Sequence, residues 1–150
     1  MRAAVLTLLL AGCATRVDLS RAPRPGDPLP ERRGGWIFSA HRGGDFCAAT
    51  FAAGGINYSI DIECGKSTII YVQTRDPKFM TPEHLSVGQT LGGAIAKGGR
   101  FVEGDSHCVV LLPSGWRGST FDVKTDKDGY LIPCQQRLDD EIDFFDRYTP

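Results

Sequence analysis

Apolar and polar positions alternate through the middle of the chain, and that alternation predicts most of its elements. In Asn57-Tyr58-Ser59-Ile60-Asp61-Ile62-Glu63, Tyr58, Ile60 and Ile62 share one face, the period-two pattern of a half-buried strand. Gly65-Lys66-Ser67 supplies a turn. Thr68-Ile69-Ile70-Tyr71-Val72-Gln73-Thr74, rich in β-branched and aromatic residues, then returns as the second arm of a hairpin. Shorter runs of the same kind predict strands at Trp36–Ala40, Phe46–Phe51, Cys108–Leu112 and Trp116–Val123. Two more are expected at Tyr130–Ile132 and Glu141–Phe145, with Ile142 and Phe144 alternating in the last.

The period changes to that of a helix once. Ser86 and Gln89 have the spacing of a capping box, Val87, Leu91, Ala94 and Ile95 follow at helical intervals, and Gly98-Gly99 suits a left-handed cap. Gly92 and Gly93 inside this run cost roughly 1 kcal/mol each relative to Ala, so the helix needs packing to hold it. Strand after strand with one helix predicts an α+β fold. The expected form is an antiparallel sheet of about five to seven strands with one helix, about 86–98, packed on one face.

The two ends of the pattern differ from its middle. Met1-Arg2 is followed by eight residues without charge, Ala3 to Leu10, and then Ala11-Gly12-Cys13. A helical span needs about 20 apolar residues, so a charged start and a short apolar run closed by small residues read as a secretory signal. From Ala14 to Gly35, Pro23, Pro25, Pro28 and Pro30 alternate with arginines and acids, which blocks both helix and sheet ladders and predicts an extended tether. The expected organisation is therefore 1–12 as signal peptide, 13–35 as modified Cys plus tether, and 36–150 as one globular domain. Composition agrees with one domain, 41% of residues being hydrophobic and 23% charged. A formal net charge of −1 leaves no basic surplus for a phosphate backbone, so nucleic acid is not an expected partner.

Leu10-Ala11-Gly12-Cys13, directly after the apolar run, resembles the lipobox of bacterial lipoprotein precursors. That resemblance implies acylation of Cys13, palmitate among the acyl chains, and a mature chain that starts there. Ala14 in the next position, where Asp would signal retention, implies an outer-membrane address facing the periplasm in a Gram-negative envelope. A second likeness covers about 20 residues: Asp76-Pro77-Lys78-Phe79-Met80-Thr81-Pro82-Glu83, running into Leu85-Ser86-Val87-Gly88-Gln89-Thr90-Leu91, is similar to a segment of small uncharacterised envelope lipoproteins. There a Val-Gly-x-Thr-Leu helix is laid on a sheet, and Gly92-Gly93 depart from it. With Cys13 assigned to lipid, Cys47, Cys64, Cys108 and Cys134 remain, an even number that in an exported chain predicts two disulfides. Four cysteines allow three pairings, and short loops favour Cys47–Cys64 with Cys108–Cys134.

Candidate chemistry is sparse. Ser106-His107-Cys108-Val109 resembles the Ser-His-Gly-Cys core of L,D-transpeptidases, in which Cys attacks a peptidoglycan peptide and His accepts its proton, but the Gly is missing. Gly65-Lys66-Ser67 lacks the upstream Gly of a phosphate loop, Ile60 standing in its place. Asp126-Lys127-Asp128-Gly129 lacks the leading and closing ligands of a calcium loop, where Lys124 and Gln135 stand, and reads as a β-turn. His41, His84 and His107 fall in separate elements, and no metal or cofactor is expected. The favoured expectation is a non-enzymatic, lipid-anchored module that binds an envelope protein, of inhibitor or immunity type, with Trp36, Trp116 and Arg117 as candidate anchors. The alternatives are a cell-wall enzyme using Cys108 and His107, or a structural envelope component.

Overall fold

The computed structural model describes residues 21–29, 39–40, 46–63, 66, 68–102 and 107–148. Within them, eight strands form a single antiparallel sheet: β1 (Ser39–Ala40), β2 (Phe46–Ala53), β3 (Ile56–Glu63), β4 (Ile69–Thr74), β5 (Arg100–Phe101), β6 (Val109–Leu111), β7 (Arg117–Ser119) and β8 (Phe144–Tyr148). Their order across the sheet is β1-β2-β3-β4-β8-β7-β6-β5. Two meanders are thus sewn together where β4 pairs with β8, Val72 opposite Arg147. Among the described residues, two-residue strands, β1 and β5, stand at the two ends of this order.

The expected α+β class is corrected by this arrangement: the fold is mostly β. Its one α-helix among the described residues, α1, is six residues long (Leu91–Ala96), not the expected 86–98, and a single 3-10 turn follows at Cys134–Gln136. The reason lies at Gly88, whose φ of 87° is left-handed and cannot continue a helix. Half of the capping box does form, Gln89 Oε1 accepting from the Ser86 amide at 3.0 Å, but it closes an isolated turn. The helix is instead capped by Thr90, whose hydroxyl accepts from the Gly93 amide at 3.1 Å. Gly92 permits a close approach of another kind than the sheet packing expected. Its amide donates to the Leu138 carbonyl at 2.7 Å, and a Cβ there would sit 3.0 Å from that oxygen.

The 56–74 hairpin forms as expected, Ile60 opposite Val72 and Asp61 opposite Tyr71, with a register shift after Asp61. Tyr58, Ile60, Ile62, Ile69 and Val72 are buried on one face. That face is covered by the crossover between β4 and β5, which contributes Phe79, Leu85, Leu91 and Ala94 to the core. Phe79 sits at its centre, against Tyr58 (6.2 Å between ring centroids), Phe145 (5.6 Å) and Trp116 (4.7 Å). Burial, with the charge of Asp76 adding to it, pushes the Tyr58 phenol up to about 12.

Other strand expectations shift for identifiable reasons. The last strand begins at Phe144, because Ile142 pairs outward with the crossover: its amide donates to Gln89 O, and its carbonyl accepts from the Gly88 amide. Tyr130–Ile132 is not a strand but part of a projecting turn held by one bridge, Thr125 opposite Leu131. Within the stretch expected as tether, residues 21–29 are docked: Gly26 N–H donates to Ile69 O at 2.8 Å, Ile69 N–H to Asp27 O at 2.9 Å, and Pro23 is buried.

The bridge Cys108–Cys134 is present, with Cα atoms 5.5 Å apart and the two positions separated by 26 in sequence. Two bridges were expected, and this is the one described in full. Cys47 is also disulfide-bonded, whereas Cys64, and with it the expected Cys47–Cys64 pairing, lies outside the described residues. Closing a loop of that length restricts the unfolded chain by about 3 kcal/mol.

Candidate functional site

Of the residues singled out in the sequence, Cys13, Trp36 and His41 lie outside the described residues. Trp116 and Arg117 are neighbours in the chain but face opposite sides of the sheet. Trp116 is only 4% exposed and packs on Phe79, so it presents an edge rather than an open anchor. Arg117 is turned to the other face, its Nε 2.8 Å from Asp146 Oδ1 and its Nη2 bonded to Oδ2. Cys108 is fully buried and its sulfur is bonded to Cys134, so it offers no thiolate beside His107. In the 126–129 turn, Asp126 Oδ1 accepts from the amides of Asp128 and Tyr130 at 2.9 and 3.0 Å. The turn itself uses the carboxylate oxygen that a calcium reading would need.

Two surfaces stand out instead, at opposite ends of β7. The first follows it. Among the described residues, seven large hydrophobic side chains are exposed, and five of them (Phe121, Val123, Tyr130, Leu131 and Leu138) belong to 121–138. The segment projects but is held at its base. Asp140 accepts from Lys124 Nζ and from Arg137 Nε, both at 2.7 Å, and Arg137 reaches across to the Asp122 carbonyl at 2.8 Å. Burial alone would raise the Asp140 pKa; the Lys124 and Arg137 hydrogen bonds outweigh it and hold the carboxyl below the ordinary range. The Cys108–Cys134 bridge ties the same base to the start of β6. At the root, Phe121 is stacked between Arg75 (4.2 Å from the ring centroid) and Phe144 (4.7 Å). A signal for this surface exists in the pattern, since the apolar residues at 121–138 are interleaved with charges and the alternation does not continue beyond Val123.

The second surface precedes β7. A cleft of about 590 Å³ opens between the docked 21–24 segment, the crossover at 79–84 and the turn at 114–116. Its floor includes Phe79 and Trp116, and its rim carries Arg21, Arg24, His84 and Arg147. Asp27 organises the near wall, accepting a two-pronged pair from Arg21 at 3.0 Å and the Arg24 amide at 2.8 Å. Glu83 organises the far wall, taking the Ser114 amide at 2.6 Å and the Ser114 hydroxyl at 2.9 Å. The Ser114 carbonyl in turn accepts from Arg147 Nη2. Next to Glu83, His84 has a φ of 61°, a left-handed conformation that a residue with a Cβ holds only when its surroundings dictate it.

Glu83 provides a pH-dependent test of this wall. Burial would raise its pKa, but the two Ser114 donors outweigh that and leave it depressed. A depressed carboxylate adds stability that is present above its unfolded pKa and lost as pH falls through the folded one. Glu83→Gln is therefore expected to lower stability at pH 7 by about 1 kcal/mol, a charge-assisted bond discounted for partial exposure. It should also flatten the loss of stability between about pH 5 and pH 3, measured by urea titration at each pH.

No protein-family model matches the chain, and no curated protein or solved structure is similar to it. Nothing is therefore carried to either surface from a relative.

Proposed function

We propose that the chain is a lipid-anchored protein of the bacterial envelope whose disulfide-braced β-domain binds another envelope protein through the 121–138 segment, without catalysing a reaction. The observation that carries this reading is the concentration of exposed apolar side chains on one braced projection. Large exposed hydrophobic groups gathered in one place mark interaction surfaces, and a pre-ordered segment loses little entropy on binding. Its surroundings favour a protein over a lipid surface: residues 121–141 carry six carboxylates against three cations, which opposes anionic head groups and suits a partner with a basic rim. Anchoring rests on Leu10-Ala11-Gly12-Cys13 after the apolar run. Acylation of Cys13 with more than one chain would hold the domain stably at the outer membrane, on its periplasmic side. An inhibitor or immunity role is the form of binding that best fits a small braced domain.

The test has two arms. Mass spectrometry of the envelope-purified protein should find Cys13 acylated and residues 1–12 removed; an intact N-terminus would overturn the anchor. Capture from envelope extracts should yield a partner with the wild-type chain that is lost with Tyr130→Ser/Leu131→Ser. Two central anchors of this kind typically contribute about 2 kcal/mol or more each, so a loss of a hundredfold or more in affinity is expected. Because both side chains are exposed, the variant should unfold at the same urea concentration as wild type. A partner retained by that variant would refute the 121–138 surface.

A further inference from the structure

We infer that the cleft between residues 21–24, 79–84 and 114–116 is a second binding site, for a small ligand that joins an apolar or aromatic body to a phosphate or carboxylate. It lies at the other end of β7 from the projecting segment and does not depend on the reading given above. Its volume of about 590 Å³ suits a small organic molecule.

The ligand class follows from what the walls offer. The floor is aromatic, Phe79 and Trp116 meeting at 4.7 Å, and exposed Met80 extends the apolar surface at the mouth. The rim is cationic. Asp27 neutralises Arg21 and Glu83 is taken up by Ser114. Arg24 and Arg147, however, have no carboxylate within salt-bridge distance among the described residues; burial and the Arg24 charge lower the Arg147 pKa, and the charge of Glu83 offsets them only in part. Like charges facing one concavity are unfavourable unless an anion comes between them, and paired guanidinium forks match the oxygens of phosphate or carboxylate.

The chain also holds Arg147 in place. Its guanidinium is 5.6 Å from the Trp116 ring centroid and donates to the Ser114 carbonyl. Gly115 packs beside it: a Cβ there would stand 2.9 Å from Arg147 Nη2 and would displace the guanidinium. A headgroup placed between Arg24 and Arg147 would set the rest of the molecule over Trp116.

Calorimetric titration of the full chain with four probes decides the matter: phenylphosphate, phenylacetate, benzyl alcohol as the uncharged analogue, and inorganic phosphate. Binding of either aromatic anion at least tenfold tighter than both benzyl alcohol and inorganic phosphate is expected, and whichever binds better identifies the headgroup. Arg24→Gln should weaken that binding about tenfold, as for loss of one charge-assisted hydrogen bond. The Arg24 side chain has no described partner, so this variant should keep the wild-type unfolding midpoint. No binding of either aromatic anion, equal binding of benzyl alcohol or of inorganic phosphate, or an affinity unchanged in Arg24→Gln would each overturn the site.

Discussion

Phe79→Ala is expected to lower stability by about 3–5 kcal/mol, the range for removing a fully packed aromatic side chain. Phe79 comes from the crossover, yet its ring touches Tyr58 from the first meander, Phe145 from β8 and Trp116 from the turn before β7. Among the described residues, the strands of the two meanders pair with each other only along the short β4–β8 seam, Tyr71–Thr74 against Phe145–Tyr148. Emptying the space beneath that seam removes contacts to both at once, and a Tyr, a Trp and a Phe cannot collapse together without moving their strands. Urea unfolding measures the effect: the midpoint should drop with the slope unchanged, since the folded surface is nearly the same. Met80→Ala is the internal comparison. Met80 is 59% exposed, and its removal should change stability by less than about 0.5 kcal/mol. A loss below about 1 kcal/mol for Phe79→Ala would show that the crossover is not what holds the halves together.

The role of Phe79 also marks where pattern reading stops. Period-two alternation locates β3 and β4 because their burial is decided by one sheet face, so Tyr58, Ile60 and Ile62 each report the same geometry. Phe79 lies in a segment of turns with no period, and nothing local to it says that it is central. The helix was legible in position but not in extent. Apolar spacing cannot distinguish a helical turn at 86–89 from a β-turn closed by the same Ser and Gln, and the left-handed Gly88 decides it. A Gly two residues after a Ser has no such meaning until the chain must change direction.

The two proposed surfaces are less visible still. Trp116 and Arg117 are adjacent in the chain, yet the turn residue Trp116 enters the aromatic floor of the cleft and Arg117, the first residue of β7, pairs with Asp146. Arg24 and Arg147 are separated by nearly the whole domain and meet only because residues 21–29 dock beside Ile69 at the start of β4. The alternating prolines of that segment exclude regular structure, but they do not exclude docking. Pro23 is buried, two backbone hydrogen bonds join the segment to Ile69, and Pro28 forms an isolated antiparallel bridge with Thr68.

Asp146→Ala is expected to cost about 3–5 kcal/mol, since it strands a partly buried guanidinium. On the face of β8 opposite Phe145, Asp146 lies between Phe144 and Tyr148. The Asp146 side chain is 3% exposed and that of Arg117 19%. Asp146 Oδ1 takes Arg117 Nε, while Oδ2 takes Arg117 Nη2 and the Tyr71 hydroxyl, which donates at 3.1 Å. Arg117 is further sandwiched by the Tyr148 ring, 4.3 Å from its Cζ. Burial, the Asp146 charge and the hydrogen bond to it raise the Tyr71 pKa, so this phenol remains a donor across the physiological range. Three elements, β4, β7 and β8, therefore converge on one carboxylate at the seam already described. Because the penalty comes from the group left behind, removing both charges should be milder than removing one. Arg117→Met/Asp146→Leu is expected to be at least about 2 kcal/mol more stable than Asp146→Ala. Tyr71→Phe, which removes a single hydrogen bond, should cost about 1 kcal/mol. Urea titrations of the single and double variants form the thermodynamic cycle that measures the coupling. If the double variant were as unstable as the single one, the loss would have to come from packing against Tyr148 and Phe144, not from an unpaired charge.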